Sequence, residues 1–355
     1  MKKIIAVLLS ICMAGMVLMG CNSGSSKTES STSDGSSKKS EDKVLTVYSA
    51  RSESLNNLVI PNFEKDTGIK VELVVAGTGE LQKRVDSEKN NPLGDILWAA
   101  DETMLTSSKN LFMKYVSPED ANMLDQSKNK TGYFSPCFAD PTVFIVNKNL
   151  IGDIKVEGFS DLLNPALKGK IAFGDPTNSS SAFQSLMAML YGMGKDGDPM
   201  SDQAWDFVDK FLANLDGKMA SSSGQLHKSV ADGEYAVGLT WEDPAANYIK
   251  NGAPVEVVFP KEGAIFPGES VQIINNCKHP ENAKKFVDYL LSEKTQNAVG
   301  MQLTVRPLRK NAQLASYMQP LDKIKLTSNY SEDWVAENKN NVVAKFTEHL
   351  EKSKE

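Results

Sequence analysis

The chain has 355 residues, with 45 acidic against 39 basic side chains and a formal net charge of −6. That balance argues against nucleic acid or an anionic membrane surface as partner, whereas a small anionic ligand stays open because exposed charges are screened beyond about 8 Å. Residues 43–355 are long enough for two domains of ordinary size.

Lys2 and Lys3 precede an apolar run, Ile4 to Leu18, followed by Met19, Gly20 and Cys21. This is the pattern of a secretory signal over residues 1–20, and the run is short for a membrane span. Cys21 sits as in a bacterial lipobox, with Met19 a less usual member, so Cys21 is expected to carry lipid. Residues 21–42 contain no large apolar side chain beyond Cys21 and cannot bury enough surface to offset ordering entropy. They read as a flexible tether holding a folded body at the extracytoplasmic face of the cell membrane. Loss of residues 1–20 leaves 37 bases against 45 acids, a net charge of −8. Cys137 and Cys277 remain; they carry no framework spacing and fit two buried thiols better than a disulfide.

In chain order, Val44–Ser49 reads as a strand, followed by a turn at Ala50, Arg51 and Ser52. A helix follows with Leu55, Leu58, Val59 and Phe63 on one face, kinked at Pro61 and ended by Gly68. Residues 69–75 form the next strand, leading through Gly77, Thr78 and Gly79 into a helix containing Leu81 and Val85. Asp95–Trp98 is a third strand, with Asp101 beyond its tip. Strand–turn–helix repeats imply parallel strands with crossover helices, and ligands of such sheets sit at the carboxyl ends of strands. That places Ser49, Arg51, Thr78 and Asp101 among the candidates.

A second set begins with the strand 142–146. The stretch from Lys170 to Leu190 follows: a short strand, an Asp175-Pro176 turn, then a helix with Phe183, Leu186, Met187 and Leu190 on one face. Asn178 and Ser179 are both good caps, and Ser179, Ser180 and Ser181 sit where the first helical amides lack intrahelical partners, a natural anion site. A helix from Ser201 buries Trp205, Val208, Phe211, Leu212 and Leu215. Ser222 and Ser223 precede a short helix, and the strand 235–240 is tipped by Trp241, Glu242, Asp243 and Pro244. Strands 255–259 and 270–274 and a helix over 281–299, opened by Pro280, complete the pattern. Pro-containing passages near 139–142 and 260–269 are expected to connect two lobes, 43–140 with 262–355 and 141–261.

Familiar catalytic chemistries are missing. Gly77-Thr78-Gly79 lacks the third glycine of a dinucleotide loop, Gly194-Lys195 is followed by Asp196 and is no P-loop, and there is no G-x-S-x-G elbow. His227, His279 and His349 are isolated, without metal-ligand spacing, and read as surface histidines. Cys277 and His279 fit a helix start better than a nucleophile and base.

Tyr48–Arg51, Gly94–Trp98, Gly174–Ser180 and Gly233–Pro244 together resemble the solute-binding lipoproteins of ABC importers, in the style of the ferric receptors and their hexose-phosphate and 2-aminoethylphosphonate cousins. The resemblance covers about 43–310. It implies a type II periplasmic-binding-protein-like α/β fold: two lobes, each a mixed, mainly parallel sheet flanked by helices, joined by a double-crossover hinge. It also implies a monomer that needs no cofactor and delivers its ligand to a permease driven by an ATPase. Ferric receptors carry adjacent tyrosines after the strand that here ends at Thr240; this chain has Glu242 and Asp243 there, and Arg51-Ser52 where a histidine is common.

Both departures point from iron to an oxyanion, since arginine repels Fe³⁺ and offers a phosphate two parallel N–H donors. A micromolar ligand needs about 8 kcal/mol, and a helix terminus supplies only ~0.3–2 kcal/mol. Arg51 is therefore expected to add charge-assisted bonds of roughly 1.5–3 kcal/mol each, with Ser49, Thr78 and Ser179–Ser181 completing a cradle and Ser222 and Ser223 in support. Glu242 and Asp243 would accept sugar hydroxyls or a ligand ammonium. The expected ligand is a small organic phosphate or phosphonate with a polar tail. The alternatives are a ferric or other metal-ion receptor, and a surface-anchored phosphatase, for which no nucleophile–base pair speaks.

Overall fold

The computed structural model describes residues 42–99, 105–217, 219–220, 223–327 and 329–354. Cys21, the signal segment and the tether up to Glu41 lie outside the described residues, as do Asp101 and Ser222; of Ser223 only the backbone is described.

Two sheets organise the chain. The first contains β1 (Val44–Ser49), β2 (Lys70–Val75), β3 (Ile96–Trp98), β4 (Ser135–Ala139), β9 (Gly268–Ile273) and β10 (Arg306–Pro307) in the order β10-β4-β9-β3-β1-β2. The second contains β5 (Thr142–Asn147), β6 (Ile171–Ala172), β7 (Val237–Trp241) and β8 (Val255–Val258) in the order β6-β7-β5-β8. Among the described strands, only β1–β2, β1–β3 and β6–β7 pair in parallel. The remaining named pairings are antiparallel, so the sheets are mixed but not mainly parallel. The reason is the crossings: β9 returns from a passage between lobes and runs against both β3 and β4, which flank it, and β10 in turn runs against β4.

Local sequence sets most helix ends. In α1 (Glu53–Thr67), Ser52 Oγ accepts from the Leu55 N–H, and Gly68, at φ 69°, closes the helix by donating to Glu64 O. Leu55, Val59 and Phe63 form its buried face, and Pro61 lies within it. After α2 (Thr78–Ser87), the second lobe adds α3 (Ser180–Met193), α4 (Asp202–Leu215), α5 (Ser223–Ala231) and α6 (Glu242–Lys250). The helix expected over 281–299 is two, α7 (Pro280–Leu291) and α8 (Glu293–Gln302). Ser292 takes extended backbone between them and caps α8 by accepting from Thr295 N–H, so a good N-cap overrode a continuous apolar stripe.

The lobes have separate cores. In the first, Phe63 and Trp98 pack edge-on against Phe286, with ring centroids 5.0 and 5.8 Å away. In the second, Phe144, Phe159, Phe173, Trp205 and Phe211 gather between the sheet and α3 and α4. The C-terminal helix α9 (Glu332–Lys352) joins this second core: Val342 and Phe346 are fully buried there. Residues 262–355 are thus shared between lobes, and the chain crosses a third time near 319–330, where Thr327 N–H donates to Ala264 O at 2.9 Å. Cys137 and Cys277 are not joined in a disulfide; the first is buried and the second half-buried.

His227 is not a surface residue. It is buried on α5 with Nε2 2.5 Å from Thr240 Oγ1 and its ring edge-on to Trp241. Burial depresses its pKa from 6.5 to about 4. A neutral buried histidine contributes stability that is complete above the unfolded value and lost as pH falls toward the folded one, about 3 kcal/mol at most for a shift of this size. His227→Gln is therefore expected to flatten the loss of stability between pH 6.5 and 4 in urea titrations. In the same assay Phe346→Ala is expected to cost about 3–5 kcal/mol, with amide exchange rising first in α3 and α4.

Candidate ligand-binding site

The loop after β1 is held from within. Ser49 Oγ donates to Asn56 Oδ1 at 2.8 Å and accepts from Arg51 N–H at 3.1 Å, while Asn56 Nδ2 donates to Arg51 O at 3.1 Å. Ser49 is fully buried, so it positions the Arg51 loop and does not face a ligand. Arg51 is itself 9% exposed, and its Nη1 pairs with Glu269 on β9. The guanidinium expected to be open for phosphate already has a carboxylate, and its Nε is buried without a protein acceptor.

Two further carboxylates meet this pair. Arg51, Asp140, Asp243 and Glu269 line one cavity of about 70 Å³, with Ser52, Leu55 and Val305 on its walls. Asp140 Oδ1 accepts from the Asp243 N–H at 3.0 Å, and Asp243 Oδ1 accepts from the Thr304 hydroxyl. Burial pushes the Asp140 carboxyl well above the usual range, and the charges of Asp243, Glu269 and Glu242 add to the rise. Asp243 is raised in the same way, by burial first and then by Glu269. One guanidinium thus faces three carboxylates, and the surplus calls for protons or a cation.

Glu242 has another role. It is 2% exposed, and both its oxygens accept from Arg306, Oε2 from Nε at 2.6 Å and Oε1 from Nη2 at 2.5 Å. Its carboxylate is saturated and closed to a ligand. Desolvation makes such a pair viable only when the fork geometry is satisfied.

The serine run behaves as expected of a cap. Ser179 Oγ accepts from Ala182 N–H at 3.3 Å and lies 2.9 Å from Ser181 Oγ. Ser180 is exposed and Ser181 half-buried at the first turn of α3, where helix geometry leaves the amides without carbonyl partners. Gly174 permits this turn to close: a Cβ there would come within 3.0 Å of the Ala182 methyl. Thr78 is half-buried at the start of α2. Ser49, Thr78, Ser179, Ser180 and Ser181 are not on the wall of the acidic cavity.

Asp140 and Glu269 escaped the sequence reading. The available signal was their place: Asp140 lies in the first Pro-containing crossing and Glu269 just after Pro267-Gly268 in the second, where a carboxylate meets both lobes.

Residues 59–330 match the family model for bacterial extracellular solute-binding proteins. The chain belongs to that family, whose members serve ABC importers. It is 28% identical over 303 residues to iron uptake protein A1 of Synechocystis, covering 81% of this chain and 82% of that one. A Salmonella typhimurium periplasmic protein named for 2-aminoethylphosphonate binding is 23% identical over 278 residues, 76% of this chain and 80% of that one. Among solved structures, AfuA of Actinobacillus pleuropneumoniae with fructose-6-phosphate bound superposes with a TM-score of 0.70 at 23% identity, over 87% of this chain and 99% of that one. The likeness establishes the type II two-lobed fold.

Arg51→Ala is expected to destabilise the protein, because Glu269 loses its cation while Asp140 and Asp243 stay. Folded-state carboxyl pKa values then rise further, so the folded chain binds more protons than the unfolded one and stability falls as pH rises. The deficit relative to wild type should be smaller at pH 5 than at pH 8 in urea titrations; an equal deficit at both would remove the electrostatic explanation.

Proposed function

We propose that this chain is the receptor of an ABC importer for a small phosphonate or phosphate ester carrying an amine, with 2-aminoethylphosphonate the simplest such ligand. The observation that carries the reading is the surplus of carboxylates, Asp140, Asp243 and Glu269, around the single arginine of the cavity. A ligand ammonium neutralises that surplus, whereas a bare phosphate meets repulsion. The hydroxyl-rich N-terminus of α3 supplies N–H donors for the phosphonate oxygens. Ser222, Ser223, Thr78 and Asp101 remain ligand-facing candidates, and lipid on Cys21 tethers the receptor beside its permease.

A second reading is a ferric receptor, which the likeness to iron uptake protein A1 favours.

Thermal unfolding separates these readings. A ligand at 100-fold over its Kd adds about 2.7 kcal/mol and should raise the Tm by roughly 5–10 °C. That shift is expected with 2-aminoethylphosphonate, and a smaller one with ethylphosphonate or ethanolamine, each lacking one end. It is also expected to disappear in Ser180→Asp. Binding should tighten from pH 5.5 to pH 8, because the ammonium needs Asp140 and Asp243 ionised and their free-state pKa values are raised. A larger shift with fructose 6-phosphate would move the reading to sugar phosphates, and one with Fe³⁺ that a chelator abolishes would move it to metal.

A further inference from the structure

Arg306 occupies an unusual place in the hinge. Three passages join the lobes, at 139–142, 259–268 and 319–330, and this one buried residue contacts all of them through its backbone or side chain. Its backbone pairs with Ala139, the last residue of β4 before the first crossing. Its guanidinium carbon lies 5.7 Å from the ring centroid of Phe259, which begins the second crossing. Its Nη2 donates to Gln319 O at 2.8 Å, at the start of the third. The same group forks onto Glu242, and the Glu242 N–H in turn donates to Pro141 O at 2.9 Å. Both side chains are 2% exposed.

We propose that the Arg306–Glu242 pair is the bearing of the hinge, a positioning pair that fixes the axis about which the second lobe turns and thereby sets where Asp243 meets Asp140 and Arg51. Several features support this role. A bidentate fork with an additional carbonyl acceptor fixes direction as well as distance, which apolar packing does not. The pair lies beside the crossings, so it has little lever arm and can persist while the lobe tips move. Glu242 opens α6, and Asp243 follows it by one residue. Any rotation of Glu242 about the guanidinium therefore carries the Asp243 N–H away from Asp140. Thr304 from the same stretch as Arg306 holds the Asp243 carboxylate, and Lys250 at the far end of α6 donates to Gln302 O at 2.7 Å. The first lobe thus holds α6 at both ends, with Arg306 as the buried cation among these contacts.

The test measures lobe motion without any ligand, so it stands or falls apart from the proposed solute. Spin labels at Lys83→Cys on α2 and Lys210→Cys on α4, both exposed, in a Cys277→Ala background report the inter-lobe distance distribution. Glu242→Met with Arg306→Met replaces the pair by apolar side chains of similar volume, a change that buried ion pairs commonly tolerate in stability. The expected result is a folded protein whose inter-lobe distance distribution broadens and reaches separations that the wild type does not visit. Arg306→Lys, which keeps the charge and loses the fork, gives the same readout if the double variant does not fold, and should broaden the distribution too. A distribution as narrow as wild type in a folded variant would overturn the proposal and leave the pair as ordinary packing.

Discussion

Buried carboxylate at the junction of the lobes is the constraint on which the rest of this structure depends. Asp140, Glu242, Asp243 and Glu269 converge there, Glu242 fully buried, Asp140 and Asp243 half-buried and Glu269 a third exposed, and a carboxylate withdrawn from water is tolerated only with a partner or a proton. Arg306 neutralises Glu242 and Arg51 neutralises Glu269. Of the other two, Asp140 accepts from the Asp243 backbone amide and Asp243 from a threonine hydroxyl, and neither is in an ion pair among the described residues. The short crossings, the angle of α6 and the internally bonded loop after β1 all serve to hold these groups at fixed separations. A site organised in this way is strongly responsive to the charge of whatever enters it.

The lobes themselves are ordinary by comparison. Each has an aromatic core under a mixed sheet, and neither core contributes an open functional group. Receptors of very different solutes share this frame, because ligand chemistry resides in loops at strand ends and in the crossings and not in the sheets. Here the loop arginine was expected to act alone; the fold instead gives it a carboxylate from β9 of the same sheet. Sign and balance of charge, and not the presence of one arginine, distinguish this cavity.

What was legible in the sequence was what is local. The cap at Ser179, the strand at Val44–Ser49, the αL stop at Gly68 and the apolar face of α1 each involve residues a few positions apart, so their spacing carries the information. Alternation of strands and helices made the α/β class readable, and Pro and Gly marked two of the three crossings. The pairing of Arg306 with Glu242 spans 64 positions, and Arg51 and Glu269 lie still further apart along the chain. Nothing in local pattern distinguishes Glu242, which is saturated, from Asp243, which is not, although they are adjacent. The third crossing was missed because α9 looks like any amphipathic helix; which lobe it covers depends on a surface built by α3 and α4.

That last packing has a consequence for how the protein comes into being. Neither lobe is made from one continuous stretch: the first waits for α7 and α8, and the second for Val342 and Phe346. While the polypeptide is being synthesised, each nascent core lacks a wall until nearly the whole chain has emerged, and long-range closure of this kind is slow. For a member of an extracytoplasmic family such a delay keeps the chain extended for longer, and the second core closes only once α9 has arrived. Helix α9 therefore sets the timing of closure as well as buttressing the core.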